Sequence, residues 1–168
     1  MTDTFDFGAG PVSAHRHMNP NGNLGGWVAE TAHVESSAQV GSSARVYGDA
    51  EVFGNALVGG DALVYGHALV SGYAHVYDNA RVSGRALVYG HAWVYGHALV
   101  SGDARVYGGA RVFGGARVYG HTWVYGDARV YGNARVHGKA EVYGKAEVYG
   151  AAHVYGGAHV SGNTRVRG

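Results

Sequence analysis

From residue 28 to residue 166 the chain places Val at every sixth position, twenty-four times without an exception. Ala stands two residues before each of these valines from position 32 to 164, replaced only by Thr122 and Thr164. Gly stands two residues after each Val from position 48 onward, with Asp78 the sole departure. The unit is A-x-V-x-G-x. An extended strand points the Ala and Val to one side and the residue between them to the other. Gly then supplies a turn conformation that a side chain resists. Each hexapeptide therefore predicts one short strand and one corner. A helix is excluded, because a Gly in every unit would cost about 1 kcal/mol each relative to Ala.

Three such strands make a triangular coil of 18 residues, and the repeat supplies about eight coils. Stacked at about 4.8 Å per coil they form a prism roughly 38 Å long. One coil cannot bury enough to stand alone, so stability comes from stacking. The A-x-V-x-G-x register, as in "VYGNA" at 130–134, resembles the hexapeptide repeat of left-handed β-helix proteins over about residues 27–168. That resemblance implies an all-β, single-stranded left-handed parallel β-helix; the handedness comes from the family, not from the period. It also implies a homo-oligomer, most often a trimer packed side by side. The segment "NLGGWVAETAHV", residues 23–34, resembles the lead-in of uncharacterised repeat proteins found in phages and prophages. This second resemblance implies an origin more than an activity.

Residues 1–26 are expected to form an N-terminal cap or lead-in and residues 27–168 the β-helix. "HRHMNPNGNLGG" carries Pro and Gly turns, and Trp27 is expected to cover the first coil. At the other end the sequence offers no cap, and Arg165 and Arg167 would blunt the last edge by charge.

Composition narrows the class. The 168 residues are the size of one domain. Thirty Gly at a period of six, not three, exclude collagen, and the fixed register of Val and aromatics argues against disorder. Without Cys there are no disulfides and no thiolate zinc sites. No apolar run approaches a membrane span, and "MTDTFDFGAG" lacks the segments of a signal peptide, so a soluble cytoplasmic protein without membrane partners is expected. The net charge of +1 is unevenly spread. Residues 1–80 hold two Arg against eight acids, a balance of −6; residues 81–168 hold eleven Lys or Arg against four acids, a balance of +7. That polarity favours oriented self-association or an anion near the C-terminal half over general nucleic-acid binding.

Residues 18 apart stack, so the outward positions form columns. One column reads Tyr89, Tyr107, Tyr125, Tyr143 and another Tyr77, Tyr95, Phe113, Tyr131, Tyr149. Such ladders staple coils together at about 0.5–1.5 kcal/mol per contact. In the stretch "HAWVYG", His91, Trp93 and Tyr95 lie above Tyr73, His75 and Tyr77, and the next coil offers Gly109, Arg111 and Phe113. Arg111 can stack on Trp93 as a cation–π pair, and Gly109 leaves a gap above His91. Arg105 and Trp123 repeat the theme on another face. Leu57, Leu63, Leu69, Leu87 and Leu99 also point outward. Two readings of these residues compete. Apolar surface of this kind suits a subunit interface. The sharper alternative is a ligand platform, with rings stacking a base or sugar and Arg meeting a phosphate.

Other chemistry is less well supported. Acyltransferases that share the repeat interrupt their coils with a loop and place a catalytic His near a subunit boundary, whereas this repeat runs unbroken. Zinc needs three His nitrogens about 2.1 Å from one ion, and the nearest pair, His75 and His91, are diagonal neighbours roughly 7–8 Å apart in backbone. Asn and Asp in the corners suit turns. No stacked carboxylates suggest calcium, no Thr array suggests ice binding, and no acidic face suggests DNA mimicry. The expectation is a non-catalytic binding or scaffolding module with no cofactor and no metal, taking a small anionic or aromatic ligand in the manner of phage anti-defence sponges. A transferase-like enzyme with a site at a subunit seam is the alternative.

Overall fold

Every A-x-V-x-G-x unit folds as the period dictates. In the computed structural model, which describes residues 3–168, the residue before Val and the Val itself form a short strand, of two residues except at Leu24–Ala29, Glu147–Tyr149 and Arg165–Arg167, and the chain turns before the next. Three parallel sheets result. The first face runs from β3 (Leu24–Ala29) through Arg45–Val46 and Leu63–Val64 to His153–Val154. The second runs from His33–Val34 to His159–Val160, and the third from Gln39–Val40 to Arg165–Arg167. The second and third sheets each contain 8 strands, one per coil, and the chain is an all-β parallel solenoid of about eight turns. The 18-residue register is strict: Trp93 pairs with His75 on one side and Arg111 on the other.

The inside is a column of Val and Ala. Every repeat Val from Val40 to Val148 is fully buried, and Thr122 takes an Ala place by donating its hydroxyl to the Tyr119 carbonyl at 2.7 Å. Outward residues send their N–H groups to the next coil, as from Trp93 to Ala110 O at 2.9 Å and from Tyr95 to Val112 O at 3.0 Å. At the corners the repeat Gly adopts a left-handed conformation, with φ 70° at Gly96. A Cβ there would lie 3.0 Å from the Gly114 amide of the next coil, so conformation and clearance both demand Gly. Asp78 is the one described non-Gly residue with positive φ, at 59°. Its carboxylate accepts the Gly96 N–H at 3.0 Å, which offsets part of the strain.

The start of the prism is closed differently. β1 (Asp3–Asp6) and β2 (Pro11–Met18) form an antiparallel hairpin that pairs onto β3, extending the first face to 10 strands. Ala14 on β2 is fully buried, whereas Trp27 points outward, with its ring stacked on Phe5 at 4.8 Å and Arg16 against it at 5.5 Å. Trp27 therefore shields the hairpin junction and does not cover the end of the core. On the third face two side chains occupy the place of a preceding strand. The Asn19 carboxamide donates to Val40 O at 3.1 Å and accepts the Val40 N–H at 2.8 Å. His17 Nε2 donates to Ala38 O at 3.0 Å. His17 is 5% exposed, and burial lowers its pKa, favouring the neutral ring. No helix among the described residues is long and apolar enough to cross a membrane.

Candidate binding surface

The third face gathers eight of the ten residues that the sequence singles out. Its mid-strand column carries His75, Trp93 and Arg111; the column after Val carries Tyr77, Tyr95 and Phe113; the corner leading in carries Tyr73 and His91. Trp93 is sandwiched, with the His75 ring parallel at 4.9 Å and the Arg111 guanidinium over its other side at 5.4 Å. Tyr77, Tyr95, Phe113, Tyr131 and Tyr149 stack with centroids 4.9–5.2 Å apart. Tyr77 and Tyr95 also meet Trp93 edge-on at 6.0 and 6.5 Å. Partial burial in the ladder raises the Tyr77 phenol above its ordinary pKa, with the Tyr95 phenol adding to the effect. The other two residues lie on the second face, where Arg105 sits over Trp123 at 5.1 Å.

Stacking along the axis has a consequence for recognition. Ring faces point up and down the prism, where neighbouring coils cover them, and ring edges face solvent. Trp93 has both faces covered, so a ligand ring cannot stack on it. His91 keeps one ring face free. Tyr73 covers one side of it at 5.1 Å, and the next residue in that column is Gly109.

Gly109 also opens a groove of about 480 Å³ lined by Arg111, Asp127, Arg129, Lys145, Glu147 and Arg165. Four of those side chains are basic and two acidic. Glu147 is taken up internally, lying 3.9 Å from Arg129, 3.5 Å from Arg165 and 3.3 Å from the Tyr131 hydroxyl. Arg111 and Lys145 face the groove without an ion-pair partner among the described residues. Asp127 Oδ1 leans to 2.9 Å from where a Cβ on Gly109 would stand. The columns in the sequence place the gap beside His91, and the same steps of 18 residues carry it on to Lys145, Glu147 and Arg165, which the aromatic positions alone do not point to.

The outward leucines do not form one apolar seam. Leu57 lies on the third face, Leu63 and Leu99 on the first, and Leu69 and Leu87 on the second; all five are half-buried by their neighbours. The five are spread over three faces, and only Leu69 and Leu87 are direct neighbours. Among the described residues no three His, Asp or Glu side chains are placed to hold a metal ion. His67, His121 and His159 lie 3.6, 3.4 and 3.6 Å from Asp49, Asp103 and Glu141 in their own columns.

Comparison with known families agrees with this architecture. The model described as the YdcK β-solenoid repeat matches residues 74–90, 80–96, 92–108 and 124–138. The matched stretches include His75, Trp93 and the Tyr77–Tyr95 step of the ladder. No curated protein is detectably similar in sequence.

Proposed function

We propose that the chain is a non-catalytic β-solenoid binding protein whose third face sequesters a small ligand joining a flat ring to anionic groups, as a nucleotide does. The observation that carries this reading is the end of the Tyr73–His91 stack at Gly109. A ring inserted there continues the column, stacked on His91 with the Asp127 side chain on its other side. Its anionic arm lies along the groove toward Arg111, Arg129 and Lys145, where guanidinium forks suit phosphate oxygens. A scaffold suits this task because each surface group is held by neighbours above and below, so the site needs little reorganisation on binding. In this reading the protein acts in the cytoplasm as a homo-oligomer, a trimer being the arrangement its repeat resembles, and it is of phage or prophage descent.

Native mass spectrometry of gently purified protein tests the proposal directly. An oligomer carrying one defined small mass per chain is expected. Gly109→Tyr should abolish that mass while the assembly persists, because it fills the gap with a ring of the ladder's own kind and displaces no more than the Asp127 side chain. Retention of the mass in Gly109→Tyr sinks the placement. Turnover of an acyl donor, lost in His91→Ala with assembly intact, would favour the transferase-like alternative, since His91 is exposed beside the groove.

A further inference from the structure

The second face carries a feature independent of the groove. Its mid-strand column reads His33, Glu51, Leu69, Leu87, Arg105, Trp123, each paired in register with the next. Leu69 and Leu87 are half-buried at its centre, and the four residues on either side of them are exposed. Glu51 and Arg105 have no ion-pair partner among the described residues. Glu141, one step beyond Trp123, is by contrast satisfied within the chain, by His159 at 3.6 Å and the Tyr125 hydroxyl at 3.4 Å.

We infer that this face binds the same face of a second copy, with the two solenoids antiparallel. A two-fold axis running along the strands, between Leu69 and Leu87, turns the column end for end, so every contact is made twice. Leu69 then meets Leu87 of the other copy, Glu51 meets Arg105, and His33 meets Trp123. An exposed acid is thereby matched with an exposed base on each side of an apolar centre. The column after Val follows the same turn, setting Phe53 against Tyr107 and Ser71 against Tyr89. In the corner column His67 falls opposite Arg85, and Asp49 falls opposite Asp103. Both aspartates lie beside histidines of their own chain, at 3.6 and 3.4 Å, and Arg85 stands one coil from the facing Asp49. A parallel pair would instead set Glu51 on Glu51 and Arg105 on Arg105, which is repulsive. Neither other face offers the same match. The first-face column Arg45, Leu63, Arg81, Leu99, Arg117, Arg135 holds no acid, and on the third face Glu147 is already held by Arg129 and Arg165. The self-complementary order of one column selects a second copy over any other partner.

Sedimentation of the whole protein across a concentration series decides the matter. The contact doubles any assembly formed through the other faces, so the native chain should reach an even number of copies. Glu51→Arg and Arg105→Glu, each alone, set like charges opposite each other and should weaken the doubling at least about tenfold. Mixed in equal amounts, the two folded variants should regain it, because a pair made of one of each restores both charge matches. Glu51→Gln, which removes the charge without reversing it, covers the case where a reversal does not fold, and should give a smaller loss. Gly109→Tyr should double as the native chain does, which separates failure of this inference from failure of the groove reading. An odd number of copies of the native chain at the highest concentration overturns the inference. So does unchanged doubling in the Glu51 variants, or no recovery on mixing the two folded reversals.

Discussion

The first coil and the interior coils meet the same requirement, pairing the backbone of a strand edge, by opposite means. Inside the prism each strand is satisfied by the strand 18 residues on, so one short motif serves every coil. At the first strand of the third face there is no preceding coil, and the Asn19 carboxamide and the His17 ring supply the missing partners for Val40 and Ala38. A carboxamide carries the same donor and acceptor as a peptide group, which is why one side chain can engage both the N–H and the C=O of Val40. Repetition makes interior positions redundant in kind but intolerant in space. The cap is tolerant in space but depends on individual atoms.

Substitutions can separate these two regimes. The largest effect is expected inside the prism. Gly96→Ala forces a side chain into a left-handed corner and against the Gly114 backbone, and should cost about 2–4 kcal/mol in chemical denaturation. A loss below about 1 kcal/mol would show that the corner can relax. Next comes Asn19→Ala, which leaves both polar groups of Val40 unpaired and should cost about 2 kcal/mol. Its mark should be local, with faster amide hydrogen exchange at Val40 and little change at Val94. Uniform acceleration along the chain would mean that the cap and coils unfold as one unit. The smallest effect is that of acid on His17. Its pKa is lowered in the folded state, so the unfolded chain takes up the proton first as pH falls below the ordinary histidine value of about 6.5. Stability present at neutral pH is therefore lost on acidification. A His17→Gln variant should show a flatter stability profile between neutral pH and pH 5, and an identical profile would remove His17 from the account.

How much was legible in the sequence follows the same division. Val28 to Val166 and the corner glycines announce strands, faces and register, because a period of 18 turns one-dimensional spacing into three-dimensional neighbours. The Trp93–Arg111 and His75–Trp93 contacts come from that arithmetic alone. The cap escaped it because Asn19 and His17 act through side-chain hydrogen bonds across 21 residues, outside any period. Trp27 misled for a related reason. Its size suggested a lid, yet its register places it mid-strand, facing outward against Phe5. The leucines were within reach of column counting, which assigns Leu57, Leu63 and Leu69 to three different faces. The lean of Asp127 toward Gly109 depends on a side-chain rotamer, and spacing carries no information about that.

The register also sets the grammar by which such a chain can change length. Deleting 18 residues within the prism removes one storey, shortens the shaft by about 4.8 Å and leaves every column below and above in line. Deleting six between Gly109 and Arg129 turns everything downstream by one face: the Arg129–Glu147–Arg165 series would follow Arg105 on the second-face column, in the place of Trp123, and the groove at Gly109 would be cut in two. Gene duplication in whole storeys is thus neutral to the surface, whereas a single hexapeptide gained or lost rewrites it while leaving the Val core intact.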